Sequence, residues 1–233
     1  MLQVQNLVAR YGDFQALFGI DFALARGAIV ALIGANGAGK STFLKSIAGQ
    51  MSNKSGAIRF NGADISGLSS DLVVRKGISM VPEGRRLFRS LSVEENLTVG
   101  AFASRKGRWT LDAVFDLFPV LREKRRSSAA ALSGGQQQMV AIGRALMSNP
   151  DLLMCDELSL GLAPAIVKDI YNVFPQLRAE GLSVIVVEQD IDAALRIADH
   201  VYCFMHGRVT LHGAPADLTK RQISAAYFGM EDA

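Results

Sequence analysis

Residues 34–41 read GANGAGKS, and the spacing of glycines, lysine and serine suits one task, the cradling of a row of phosphates. Gly34, Gly37 and Gly39 let the backbone turn tightly and aim successive N–H groups inward, with Asn36 and Ala38 between them. Lys40 adds a point charge for the β- and γ-phosphates, Ser41 offers a hydroxyl to Mg²⁺, and Thr42 follows at the start of a helix. Far downstream, Asp156 and Glu157 close the apolar run DLLMCD, where adjacent acids belong only if something positive meets them. In a nucleotide site Asp156 would hold Mg²⁺ directly or through water, and Glu157 would polarise the water attacking the γ-phosphate. Between the two lies LSGGQQQ, residues 132–138. There Ser133 is a good N-cap, and Gly134 and Gly135 leave N–H groups accessible at a second anion-binding helix end.

These groups need a frame. Residues 28–33, AIVALI, form a branched apolar run suited to a strand buried on both faces, and a helix should begin between Ser41 and Leu44. LQVQNLVA near the start and GIDFAL at residues 19–24 alternate apolar and polar, which predicts an antiparallel layer. Tyr11-Gly12 falls at the turn between them, where Tyr11 can present its ring to a flat base. Ser55-Gly56 and Asn61-Gly62, with AIRF and ADI, read as the turns and strands of a short hairpin. Around Arg85 the pattern turns helical, marking a lobe over residues 85–130 within a core of 1–84 and 131–233. SVEE at residues 92–95 is a capping box that should start a helix through Phe102. Leu111, Val114, Phe115 and Phe118 define an amphipathic helix that Pro119 should end.

Strands and helices alternate after Pro150: DLLMCD, then a helix bearing Ile166, Ile170, Val173, Phe174 and Leu177, then VIVVE at residues 184–188. That order predicts an α/β fold with a mainly parallel sheet, and Pro175 should kink or shorten the helix. VYCFM, a His206-Gly207 turn and RVTLH predict an edge hairpin, followed by a short helix to Phe228.

Composition narrows the classes. A chain of 233 residues, 49% hydrophobic and 20% charged, is an ordered globular domain. Twenty-five Lys and Arg against 22 Asp and Glu leave a net charge of +3, which argues against nucleic acid as the main partner. The basic runs SRKGR and REKRR read as solvated surface rather than as a phospholipid or nucleic-acid site. No apolar run approaches the roughly 18 residues of a membrane span, and MLQVQNLVARYG lacks a signal-peptide pattern, so a cytosolic chain is expected. Cys155 and Cys203 lie in apolar runs as reduced thiols, and His200, His206 and His212 make no metal-ligand pattern.

GANGAGKS, LSGGQ and MCDE, in this order, resemble the ATP-binding subunit of ABC transporters, over essentially the whole chain. The resemblance implies a P-loop NTPase core of ABC ATPase type with an antiparallel β layer and a helical subdomain. It implies a dimer that sandwiches two ATP molecules with Mg²⁺, in which Ser133, Gly134, Gly135 and Gln136 act in trans, and Tyr11 stacks on adenine. Glu83 in VPEGRRLF, Gln189 in VVEQD and Ala163 in SLGLAP replace the usual glutamine, histidine and aspartate. These variants and the ending AAYFG look like the LivF-like branch of importers for branched-chain amino acids and related small polar solutes. Leu158, where that branch usually has proline, and Pro175 depart from it.

The implied partners are a second ABC ATPase subunit, identical or not, two membrane-spanning permease subunits and, indirectly, a periplasmic or extracellular solute-binding protein. The implied location is the cytoplasmic face of the membrane. At the matching position the resemblance implies a charged Mg²⁺ ligand in Glu83, which should tighten metal binding or demand compensation from Arg85 or Arg86. The resemblance implies that Gln189 can hydrogen-bond the γ-phosphate, where it cannot carry a proton at neutral pH. Two other readings stand beside this one: a soluble ABC ATPase acting on nucleic acid or ribosomes, and a nucleotide-sensing module without turnover.

Overall fold

Two sheets of opposite character position the site. The computed structural model describes residues 1–52 and 54–228. Strands β1 (Leu2–Tyr11) and β2 (Phe14–Leu24) pair antiparallel around a turn at residues 12–13. β3 (Ile29–Ile33) leads through the glycine loop into α1 (Lys40–Ile47). β4 (Lys54–Phe60) and β5 (Ala63–Asp64) complete the first sheet, in the order β2-β1-β4-β5. Next come α2 (Ser70–Arg75), β6 (Ile78–Val81) and the helices α3 (Val93–Val99), α4 (Leu111–Leu117), α5 (Pro119–Glu123) and α6 (Gly134–Leu146). The chain then alternates through β7 (Leu152–Asp156), α7 (Pro164–Tyr171), α8 (Phe174–Ala179), β8 (Ser183–Glu188), α9 (Ile191–Ile197), β9 (His200–Met205), β10 (Arg208–Gly213) and α10 (Lys220–Phe228).

The second sheet has the order β10-β9-β3-β8-β7-β6; its first five strands in sequence run parallel and β10 returns antiparallel at the edge. The period of two along each strand divides the core. Ala31, Ile33, Leu153, Cys155, Val184 and Val186 face a helical layer that includes Val93, Leu97, Phe115 and Ile142. Val30, Leu32, Met154, Ile185 and Val187 face the antiparallel sheet and α1. Phe43 of α1 is fully buried, its ring 5.1 Å from Phe22 and 5.5 Å from Phe204. Burial of one such side chain contributes about 1.5–3 kcal/mol and holds the first turn of α1 against the sheet.

Four sequence expectations shift. α1 begins at Lys40, one residue before the predicted window. Ser55-Gly56 lies inside β4, where Gly56 faces the irregularity in β1 beside Asn6, so only Asn61-Gly62 is a turn. The helix that starts at the Ser92 capping box loses α-form at Val99 and tightens into a 3-10 turn, Gly100–Ala103. Gly100 presses on α6 so closely that a Cβ would lie 1.9 Å from the Arg144 carbonyl oxygen. The helix over Ile166 to Leu177 is two helices, with Pro175 in the first turn of α8, where its missing N–H costs nothing. The AAYFG ending runs to Gly229, outside the described residues.

Candidate functional site

The glycine loop leaves the carboxyl end of β3 and folds back on the sheet. Gly34 has φ 151°, and a Cβ there would sit 2.2 Å from the Phe204 carbonyl oxygen, so glycine is obligatory for this approach. Lys40 is 4% exposed, and its ammonium donates to the Gly34 and Ala35 carbonyls at 2.5 and 2.9 Å. Burial lowers the Lys40 pKa, against the nearby negative charges of Glu157, Asp156 and Glu188. Lys40 is thus folded over the loop with acids on its far side.

Ser41 Oγ donates to Asp156 Oδ1 at 2.9 Å. Asp156 is 2% exposed, and burial raises its pKa; the Ser41 hydrogen bond opposes that shift and the charges of Glu157 and Glu83 add to it. The Asp156 carboxylate beside the Ser41 hydroxyl supplies oxygen donors of the hard kind that Mg²⁺ takes. Glu83 contributes only its charge: it is exposed, in the turn before Gly84. Arg85 does not compensate it but turns to α6, donating to Gln137 Oε1 at 3.2 Å and Gln138 Oε1 at 3.3 Å.

Glu157 follows β7 in the left-handed region, φ 51°, with its N–H donating to Val187 O at 3.2 Å. That turn aims its side chain at Gln189, whose Nε2 donates to Glu157 Oε2 at 2.9 Å. Leu158, which replaces the branch's proline, is buried in the core and anchors the turn. Tyr11, 47% exposed, lies with its hydroxyl 3.4 Å from Thr42 Oγ1. A cavity of about 440 Å³ is lined by Tyr11, Phe14, Asn36 to Thr42, Glu157 and His206. Its size and its wall of loop backbone fit a nucleotide triphosphate. A larger groove, about 1180 Å³, lies among α7, α8 and α9 but has no glycine loop.

The signature residues stand apart from this cavity. Ser133 caps α6 in a reciprocal box: its Oγ accepts from Gln136 N at 3.3 Å, and Gln136 Oε1 accepts from Ser133 N at 3.0 Å. Gly135 is buried, and a Cβ on it would meet Ile166 Cγ2 at 2.4 Å, so its glycine serves packing on α7 as well as access. None of these four residues lines the cavity beside Lys40. Cys155 and Cys203 are buried free thiols. His200 Nε2 and His212 Nδ1 are 3.3 Å apart on neighbouring strands, a contact that the six-residue spacing did not disclose.

Sequence reasoning missed a buried acid. Glu188, fully buried at the end of β8, accepts hydrogen bonds from Ser159 Oγ at 2.5 Å and from the Tyr171 hydroxyl. The signal was the acid closing VIVVE, overshadowed by the variant glutamine beside it. Asn96 was missed too. It is fully buried, and its amide both donates to Phe88 O and accepts from Phe88 N at 3.0 Å, fixing the segment after Arg86.

A glycine loop at the carboxyl end of a central parallel strand, with an acid closing another strand of the same sheet, defines a P-loop nucleotide-binding core. The profile of the ABC transporter family matches residues 17–159, and the chain belongs to that family. It is 47% identical over 232 residues to BraG, a high-affinity branched-chain amino acid transport ATP-binding protein of Pseudomonas aeruginosa. That alignment covers 98% of this chain and 100% of the relative. It is 36% identical to a probable branched-chain amino acid transport ATP-binding protein, LivF, of Archaeoglobus fulgidus, over 95% of each chain. Among solved structures, a nucleotide-free ATP-binding cassette of an ABC transporter superposes with TM-score 0.82 at 27% identity, covering 97% of this chain and 94% of that one. The fold is that of an ABC ATPase.

Proposed function

We propose that this chain is the ATP-hydrolysing subunit of an ABC importer, coupling ATP binding and hydrolysis in a dimer to uptake of branched-chain amino acids or a related small polar solute. The observation that carries this reading is the 47% identity to BraG over 98% of this chain and 100% of the relative, joined to a P-loop, an acidic strand end and a signature helix in one chain. The near-balanced charge of +3 gives the nucleic-acid alternative no comparable support.

In this reading the loop from Gly34 to Gly39 and the N-terminus of α1 hold the phosphates, Lys40 turns its ammonium to them, and Tyr11 stacks on the base. Ser41 and Asp156, with Glu83 nearby, would hold Mg²⁺, which supplies charge neutralisation to the phosphates when bound. Glu157 accepts the proton of the attacking water as its oxygen bonds to the γ-phosphorus and ADP leaves. Gln189 orients Glu157 and the γ-phosphate through its amide. Ser133 to Gln136 complete the site of a second ATPase subunit.

The helices of residues 85–130 act as a lobe of the same domain and meet the permease. Supporting this, exposed Phe88, Val99 and Phe102 line a groove of about 340 Å³. Arg144 of α6 donates to the Arg86 and Arg85 carbonyls at 2.8 and 3.0 Å, so movement in the groove reaches the signature helix. Among the described residues no helix is long and apolar enough to cross a membrane. From its likeness to importer ATP-binding proteins, the reading places the subunit peripherally at the cytoplasmic face, under its permease subunits. The test is uptake into vesicles holding this chain, its partner ATPase, the permease subunits and the solute-binding protein. The reading predicts ATP-dependent accumulation of leucine, isoleucine or valine; turnover indifferent to permease and solute but raised by nucleic acid or ribosomes would overturn it.

A further inference from the structure

The buried acid at the end of β8 is unlike its neighbours. Val184 to Val187 are all buried and apolar, and then Glu188 buries a carboxyl in the same strand. Such a group is costly to bury unless its oxygens are satisfied. Here one oxygen accepts from Tyr171 and the other from Ser159, while the backbone N–H groups of Ser159 and Gln189 face it as well. Burial raises both the Glu188 carboxyl and the Tyr171 phenol, which keeps the phenolic proton in place as a donor.

The position of this knot gives it a consequence. Ser159 is two residues after Glu157, and Glu188 immediately precedes Gln189. The turns after β7 and β8 are therefore tied twice, by Ser159 to Glu188 inside and by Gln189 to Glu157 at the surface of the site. The third member, Tyr171, comes from α7, the helix whose Ile166 packs on Gly135 of the signature. We propose that Ser159, Glu188 and Tyr171 form a positioning triad that fixes the Glu157–Gln189 pair and links its geometry to α7. None of the three needs to touch the nucleotide. The inference rests on the reading of Glu157 and Gln189 given above.

The test uses the assembled transporter and reads kcat, KM for ATP and nucleotide affinity. Ser159→Ala and Tyr171→Phe each remove one hydroxyl and are expected to lower kcat about threefold or more, with KM and affinity changed less than about twofold. Ser159→Thr keeps a hydroxyl and restores most of the loss. In a Gln189→Ala background the same two changes lose most of their effect, because the triad acts through that side chain. Unchanged kcat in both single variants, or an undiminished effect in the Gln189→Ala background, would overturn the proposal. If Tyr171→Phe does not fold, the Ser159 series decides alone. Glu157→Gln separates the two levels: near-normal turnover there refutes the site itself, whereas its loss beside silent triad variants refutes only the triad.

Discussion

The N-termini of α1 and α6 are both assigned to phosphate, yet they sit in opposite surroundings. That of α1 is enclosed: Lys40 is 4% exposed and folded onto its own loop, Ser41 is bonded to Asp156, and Gly34 is wedged against Phe204. That of α6 is a surface feature, with Ser133 exposed and its capping box closed on itself through Gln136. One end is built into the sheet and surrounded by the groups that would act on a nucleotide. The other is exposed and stands apart from those groups. The contrast explains why a dimer is part of the proposal: on that reading the two ends are complementary half-sites, and they do not meet within one chain.

The largest expected effect falls at the enclosed end. Glu157→Gln should slow phosphate release by roughly 10²-fold or more while leaving ATP affinity intact, measured on the assembled complex. Next comes Gly34→Ala, whose Cβ collides with backbone at 2.2 Å; a loss on the order of 1–3 kcal/mol in denaturant unfolding, with nucleotide binding lost, is predicted. At the exposed end the glycines should separate. Gly135→Ala meets Ile166 Cγ2 at 2.4 Å and lowers stability by about 1 kcal/mol, whereas Gly134→Ala meets the end of Arg85 at 3.2 Å and Leu162 Cδ2 at 3.4 Å and should cost less. Equal costs would show that packing on α7 does not set the signature's geometry.

A subtler effect concerns pH. If Gln189 stands where a histidine would act, the pH–rate profile of sites holding this chain's Glu157 lacks a limb near about 6.5. An inflection there that vanishes in Gln189→Ala would contradict the assignment. Smallest is thiol reactivity: burial pushes Cys203 up to about 11 and raises Cys155 further, so at pH 8 neither should react with a thiol reagent until the chain unfolds.

What the sequence disclosed follows the same division. The enclosed end was legible because its chemistry is local: the loop, its strand and its helix are contiguous, and continuous apolar runs marked β3, β7 and β8, though not β6. The capping box at Ser92 and the N-cap at Ser133 were legible for the same reason, each closing within three residues, although the returning bond from Gln136 was not foreseen. Long-range side-chain geometry was not. Arg85 was one of two arginines offered as a counter-charge for Glu83, yet it bonds to Gln137 and Gln138 across the fold. Glu188 was passed over because burial on both faces of β8 depends on strands far away in sequence. Gly135 read as accessible backbone because Ile166, which covers it, comes from another helix.

The contrast between the two helix ends is tested most directly by ATP affinity of the isolated chain set beside turnover of the assembled transporter, for Lys40→Ala and Ser133→Arg. With the enclosed end acting in cis and the signature in trans, Lys40→Ala weakens ATP binding to the isolated chain by about tenfold or more. Ser133→Arg leaves that binding within about twofold, and both variants lower turnover of the complex by about tenfold or more. Ser133→Arg weakening ATP binding to the isolated chain as much as Lys40→Ala, or leaving turnover of the complex normal, would contradict the account.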